Sequence, residues 1–505
     1  MSEHSDAARR RPASLSRGVA GALAMAVLAG CAVGPNYVPP KIAVPDHFRE
    51  AVTWRRARAD TYQALRDTWW RSYDDPVLDG LVEHALKANQ SIVAAQAAYR
   101  AAQAEVQASA AALHPTVSAG LAASRNGQGP AVPRVSASSG SGATYNLVSA
   151  DVAVTWEPDL WGSVRRSIEA AKAEAQASDA QLAGMRLSIA ASVVADYFAL
   201  RQADADIESL REERDIDARL LTMTRGSQRA GAASNNQVLE ARDIFDATVT
   251  TLQALQAARE QDEHALAALL GTPPEAFSLA PQPDYAFVVQ TIPPTLPSQL
   301  LERRYDVVIA ERTAAAANAR IGVAEAAFFP SLGLSAQGGF ESSTFAHLLS
   351  LPDRLWTLGP ALAATLFDGG ARQAAVASAR ATYDEDVALY RNAVIAAFQS
   401  VEDSLSAVHH LRRQAEARAR ILRRNAQLYA SAKVQRQVGA SSEHDLLGIQ
   451  LALLQARQNV VDARAALSES SVTLVKNLGG GWQWKVADQP AARAADNATR
   501  TRSDQ

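Results

Sequence analysis

Few residues in this 505-residue chain have the type and spacing that chemistry requires. The single cysteine, Cys31, is the clearest. It follows Leu28-Ala29-Gly30 at the end of a short apolar run, Val19 to Leu28, which itself follows Arg9, Arg10, Arg11 and Arg17. A positive start, an apolar stretch too short to span a bilayer and small residues before a cysteine read as a signal peptide over 1–30. Leu28-Ala29-Gly30-Cys31 looks like the bacterial lipobox. The expected chemistry is diacylglyceryl transfer to the Cys31 thiol and acylation of its amine, since several buried acyl chains make a stable anchor. An ordinary signal peptide with an incidental cysteine is the alternative. Ala32 rather than Asp follows Cys31, which resembles outer-membrane sorting. One cysteine leaves no intramolecular disulfide framework.

Other chemistry is missing. Gly-x-Ser-x-Gly, Gly-x-x-x-x-Gly-Lys, His-Glu-x-x-His and Cys-x-x-Cys do not occur. His409 and His410 are adjacent on a helical tract and so diverge instead of converging on a metal. Met1, Met25, Met185 and Met223 form no ladder of soft copper ligands. Acidic residues follow helix faces and do not form an isolated pair in a pocket. The expectation is a non-enzyme without cofactor or metal. A net charge of −3 with no basic block argues against nucleic acid as a partner.

The elements show a duplication. Arg229-Ala230-Gly231-Ala232-Ala233-Ser234-Asn235 corresponds to Gln437-Val438-Gly439-Ala440-Ser441-Ser442-Glu443, and each glycine precedes a Leu-Gly pair, ending at Gly271 and Gly479. Before each turn lies a proline-free helical tract, 163–229 and 370–436, about 100 Å long at 1.5 Å per residue. Return helices are expected at 235–270 and 442–478, with Gly231 and Gly439 at φ > 0. Such internal repetition indicates an extended, repeat-built object.

Upstream, helical regions at about 76–113 and 298–328 each stop at a proline, Pro115 and Pro330. Alternating stretches then predict β-hairpins at 116–157 and 331–367, with strands about as long as a tilted membrane strand. The connection from Arg125 to Ala143 is rich in Gly, Ser and Pro. A soluble sandwich edge is the other reading of these strands. Open edges in lipid are forbidden, so a membrane role requires three copies and twelve strands.

The long helices carry seams at steps of 3 and 4, which imply left-handed packing. Ile189, Val193, Tyr197, Leu200, Ile207 and Leu210 mark one, and Val387, Tyr390, Val394, Ala397, Val401 and Leu405 the other. The opposite face, with Asp204, Asp206, Glu208, Glu212, Glu213 and Asp215, is expected to be solvated, partly by a lumen. The remaining divisions are an N-terminal segment 31–75, a linker 276–297 and a polar tail 481–505. The two repeats span 76–275 and 298–480.

Several ordered landmarks carry a family resemblance. They include Gly30-Cys31-Ala32-Val33-Gly34-Pro35-Asn36-Tyr37, Asp75-Pro76, Trp156-Glu157-Pro158-Asp159-Leu160-Trp161-Gly162, Leu366-Phe367-Asp368-Gly369-Gly370 and Leu478-Gly479-Gly480-Gly481-Trp482. In this order the chain resembles the outer-membrane efflux proteins of the TolC superfamily, in the NodT- or OprM-like lipoprotein branch, from about Gly30 to Trp482.

The resemblance implies a mostly α protein with membrane β. Its duplicated α-hairpin/β-hairpin protomers would form a homotrimer with a 12-stranded β-barrel and a 12-helix periplasmic α-barrel. It implies the exit duct of a tripartite efflux pump in the outer membrane of a Gram-negative bacterium, anchored in outer-membrane lipid at Cys31 and extending into the periplasm. The partners would be a periplasmic adaptor and an inner-membrane transporter of the RND type, and the cargo drugs or other small toxic compounds. Adaptor docking is expected at the tips, at Arg229, Gly231, Ala232, Ser234, Gly439, Ala440 and Ser441, with Glu443 and Asp445 as gate candidates. These two acids could equally complement a helix dipole. A duct for a polypeptide or metal ion, or a pore-less lipid-anchored coiled-coil spacer, are the rival functions. Two departures stand out. Arg304-Tyr305-Asp306 replaces a common Arg-Arg-Pro-Asp and is expected to be a tolerated first-turn change. Ala232 and Ala440 follow the tip glycines where a larger apolar residue is common.

Overall fold

A computed structural model describes residues 32–42, 48–50, 68–128, 143–288 and 304–480. The expected signal peptide, Cys31, much of the N-terminal segment, part of the first hairpin connection, residues 289–297 of the linker, residues 298–303 and the tail lie outside the described residues. The helices are α1 (Pro76–Ala88), α2 (Gln90–Ala111), α3 (Ser163–Arg229), α4 (Asn235–Leu269), α5 (Tyr305–Ala326), α6 (Ala371–Gln437) and α7 (Glu443–Asn477). The strands are β1 (Thr116–Gln128), β2 (Ala143–Trp156), β3 (Ser331–Ser342) and β4 (Arg354–Ala363).

Two expectations need correction. The helix expected at 76–113 is two helices, because Asn89 is extended and its Oδ1 caps α2 by accepting from the amides of Ser91 and Ile92. Its Nδ2 donates to the Leu269 carbonyl at 2.8 Å. The second hairpin ends at Ala363 rather than 367, since Asp368 turns the chain into α6 by accepting from Gly370 and Arg372. Of the helix expected at 298–328, residues 298–303 lie outside the described residues, and the described helix runs over Tyr305–Ala326.

The chain divides into two compact units. Unit one contains residues up to Pro40, Arg100–Gln176 and Glu311–Ala388. Its sheet is antiparallel throughout, in the order β1-β2-β3-β4. The N-terminal segment is strapped onto the helices. Arg166 is buried and donates to the carbonyls of Val33 and Gly34 and to Asn36 Oδ1. Asn318 donates to the Pro35 carbonyl and Tyr37 to Glu311. Gly34, at φ 96°, lies backbone to backbone on Gly322, where any Cβ would collide.

Unit two holds Lys41–Tyr99, Ala177–Ala310 and the chain from Leu389 onward. Its core is aromatic: Trp69, Trp70, Tyr73, Tyr197, Phe198 and Phe287 are buried together with seam residues of α3, α6 and α7. The seam positions Val193, Tyr197, Leu200, Val394, Ala397, Val401 and Leu405 are completely buried. Nearer the turns, Ile207 and Leu210 pack on Leu252 of α4, and Ile216 packs on Leu447 and Leu454 of α7.

Candidate functional sites: the sheet face and the helix turns

In the sheet, cross-strand register places Val117, Leu121, Val152, Val154, Trp156, Leu334, Ala336, Trp356, Leu358 and Leu362 on one face. Ser118, Asp151, Thr155, Ser335, Gln337 and Thr357 share the other, where Gln337 donates to Asp151 Oδ2 at 3.1 Å. The apolar face is bare: Trp356 is 76% exposed, Leu358 75% and Leu362 72%. A sandwich edge would bury these side chains, so the soluble alternative does not describe this sheet. Strands of 13, 14, 12 and 10 residues reach or exceed the length that crosses a bilayer at a tilt. An apolar exterior with a polar reverse is the pattern of a membrane barrel.

At the helix turns the duplication persists to single hydrogen bonds. Gly231 and Gly439 have φ of 75° and 78°. The amide of Ala232 donates to the Ser227 carbonyl and that of Ala440 to Gln435, both at 2.8 Å, closing the six-to-one bond of a glycine C-cap. The return helices start with capping boxes. Ser234 exchanges bonds with Gln237, and Ser442 with Asp445. Gly271 and Gly479 repeat the glycine geometry at the far ends of those helices, at φ 68° and 84°.

Both gate candidates are engaged in this turn. Asp445 accepts from the Ser442 amide and hydroxyl, which holds its carboxyl below the ordinary aspartate value. Glu443 accepts from Arg436 Nε at 3.1 Å, tying the end of α6 to the start of α7. Ser441 Oγ is buried with no hydrogen-bond partner among the described residues. Beside the turns, Leu239, Ile244, Val434 and Val438 are exposed, Val438 at 74%.

The acidic face of α3 is not simply solvated. Asp204 is fully buried between Arg201 and Arg259, at 3.0 and 2.6 Å. Asp206 lines a cavity of about 510 Å³, beside Glu213, Thr248, Gln455 and Asp462. Burial, then the nearby Asp462, pushes its carboxyl up to about 7, partly opposed by Gln202. Gln202 Nε2 also donates to Asp462 at 2.9 Å. Burial likewise raises Asp196, Glu213, Asp262 and Glu469, with neighbouring acids adding to it at Asp196, Glu213 and Glu469. Sequence reasoning missed this; the signal was the seven-residue spacing of Asp206 and Glu213, which puts both on one stripe.

A sheet with a lipid-compatible face, continued along the chain by duplicated antiparallel helix pairs, defines a TolC-like outer-membrane channel protein. The sequence matches the family model "Outer membrane efflux protein" over residues 81–272 and 296–480, and the chain belongs to that family. It is 30% identical over 470 residues to the probable efflux pump outer membrane protein TtgC of Pseudomonas putida, covering 92% of this chain and 96% of the relative. The pyoverdine export outer membrane protein OpmQ of the same species is 31% identical over 444 residues, covering 86% and 92%. The solved outer-membrane channel OprN superposes with a TM-score of 0.79 at 28% identity, covering 90% of this chain and all of that one. The protein is an outer-membrane efflux channel that extends into the periplasm.

Proposed function

We propose that three copies of this chain form a passive exit duct for drugs or other small toxic compounds, with no catalytic step of its own. The carrying observation is the bare apolar sheet face, flanked by the unpaired edges of β1 and β4. Lipid does not tolerate such edges, and three four-stranded sheets closing into twelve strands remove them. A periplasmic adaptor and an inner-membrane transporter of the RND type supply the cargo and the energy. The exposed apolar side chains beside Gly231 and Gly439 support adaptor docking at the tips, including Arg229, Ala232, Ser234, Ala440 and Ser441. Glu443 and Asp445 are the proposed gate: adaptor contact would break the Arg436–Glu443 pair and release the turn. Cys31 is the proposed lipid anchor, supported by the docking of Ala32–Tyr37 against unit one.

Removing both turns, residues 230–233 and 438–441, tests this reading. Trimers should persist in outer-membrane fractions while drug resistance disappears; continued resistance would overturn docking at the tips. Purified protein should show single-channel conductance in planar bilayers. Its absence would replace the duct with a pore-less spacer.

A further inference from the structure

At the base of the sheet, where the ends of β2 and β4 meet the starts of β3 and α3, unit one contains a cavity of about 650 Å³. Most of its lining is apolar, including Trp161, Val164, Val323, Ala326, Phe329 and Leu332. Trp161 stacks on Phe329 with ring centroids 4.7 Å apart and donates through Nε1 to the Pro330 carbonyl at 2.7 Å. Of the acids in the wall, Asp159 is already committed, accepting from the amides of Val164 and Arg165 at the start of α3. The site therefore presents a fixed aromatic wall with small aliphatic neighbours. Such a surface favours a hydrocarbon occupant over water.

The described chain begins at the rim of this cavity. The Val33 amide donates to the carbonyl of Trp161 at 3.0 Å. Gly162, at φ 85°, meets Ala32 so closely that a Cβ there would lie 2.7 Å from Ala32 Cα. Cys31 is one peptide bond away, about 3.8 Å from Cα to Cα. The strap that fixes this approach is the Arg166, Asn318 and Tyr37 set of hydrogen bonds.

We propose that this cavity is an acyl-chain site whose occupant is a fatty-acyl chain carried by Cys31. The proposal rests on the lipid-anchor reading of Cys31. It adds that the protein does more than leave all its acyl chains to the bilayer: one is held against Trp161 and Phe329. The anchor then fixes the base of the sheet relative to the membrane surface instead of acting as a loose tether.

The test uses the full-length protein in its own outer membrane. Cells are fed a 16-carbon diazirine fatty acid, irradiated, and the protein is digested for mass spectrometry. The unirradiated N-terminal peptide reports on acylation separately: an unmodified Cys31 ends the lipid-anchor reading and this proposal with it. With Cys31 acylated, irradiation should give an adduct joining the N-terminal peptide to the peptide containing Trp161 or Phe329. A phospholipid adduct at those peptides, or N-terminal adducts only to membrane lipid, overturns the proposal while leaving the anchor intact. Val323→Phe narrows the cavity without touching the strap. In that variant acylation should be unchanged and the intramolecular adduct lost; its persistence would also overturn the assignment.

Discussion

The ring of Tyr305 lies against the backbone of Gly184, so closely that a methyl group at 184 would overlap the ring. Tyr305 is thus more than a tolerated substitute at the first turn of α5, because it uses the missing side chain on α3 as its seat. Glycine inside a helix ordinarily costs about 1 kcal/mol relative to alanine. Gly184→Ala should nevertheless destabilise the wild-type protein by about 1–3 kcal/mol through overpacking. In a Tyr305→Ala background the same change should stabilise it by about 0.5–1 kcal/mol, as helix propensity takes over. Thermal melts of the four proteins in detergent check this, and the same sign in both backgrounds would refute the seat.

The landmarks that made the sequence legible are mostly chain-turning devices, which are local and so leave local signatures. Asp75 before Pro76 caps α1, Asp159 caps α3, and Asp368 with Gly369 and Gly370 turns the chain into α6. Gly34-Pro35-Asn36-Tyr37 is different, since each member finds a partner more than 100 residues away. Its type was readable but its purpose was not. The tips were legible because a glycine C-cap and a capping box both act over a few residues. The break at Asn89 was hidden by the helix-favouring alanines around it, and the capping bonds that decide it come from the Asn89 side chain. The burial of Asp204 and Asp206 was hidden for another reason. Periodicity assigns charged residues to solvent, whereas here long-range partners and a three-helix seam enclose them.

Asp204 should be the most sensitive of these acids. Its carboxylate holds Arg201 and Arg259, and it also accepts from the Gln282 amide at 2.9 Å. Those arginines reach on to the carbonyls of Ala280 and Leu279, so one acid pins the chain after α4 to two helices. Asp204→Ala leaves two largely buried guanidiniums without it and should cost about 3–5 kcal/mol. Limited proteolysis should show new cleavage near residues 279–282 before any in the sheet. An unchanged digestion pattern would contradict this role.

Asp206 gives the protein a pH dependence of definite sign. Its carboxyl is raised from 3.8 to about 7, so the folded state binds the proton more tightly than the unfolded chain. Its favourable contribution is complete below about pH 4, declines as pH rises, and is lost above about 7. The side chains around it are the acids Glu213 and Asp462 and the neutral Gln202, Thr248, Gln455 and Gln458. No cation lines that cavity to reverse the sign. The melting temperature should therefore fall between pH 4 and 7, and Asp206→Asn should flatten that slope and raise stability at pH 8 by a few degrees. A variant with the wild-type slope would place the titration elsewhere.

Leu358 and Thr357 are neighbours on β4 with opposite tasks. Leu358 pairs with Ala336 on the apolar face, and Thr357 pairs with Gln337 on the polar one. Arginine on a lipid-facing strand costs about 2–4 kcal/mol near the bilayer midplane, whereas a lumen-facing position meets water. Leu358→Arg should deplete the heat-modifiable trimer from outer-membrane fractions. Thr357→Arg should accumulate normally and change the single-channel current instead, because it adds a charge to the conducting side. The pair separates face from strand, since both variants carry the same new side chain one residue apart. Equal depletion would mean that β4 tolerates no charge on either side, and the polar face could not then line a water-filled pore.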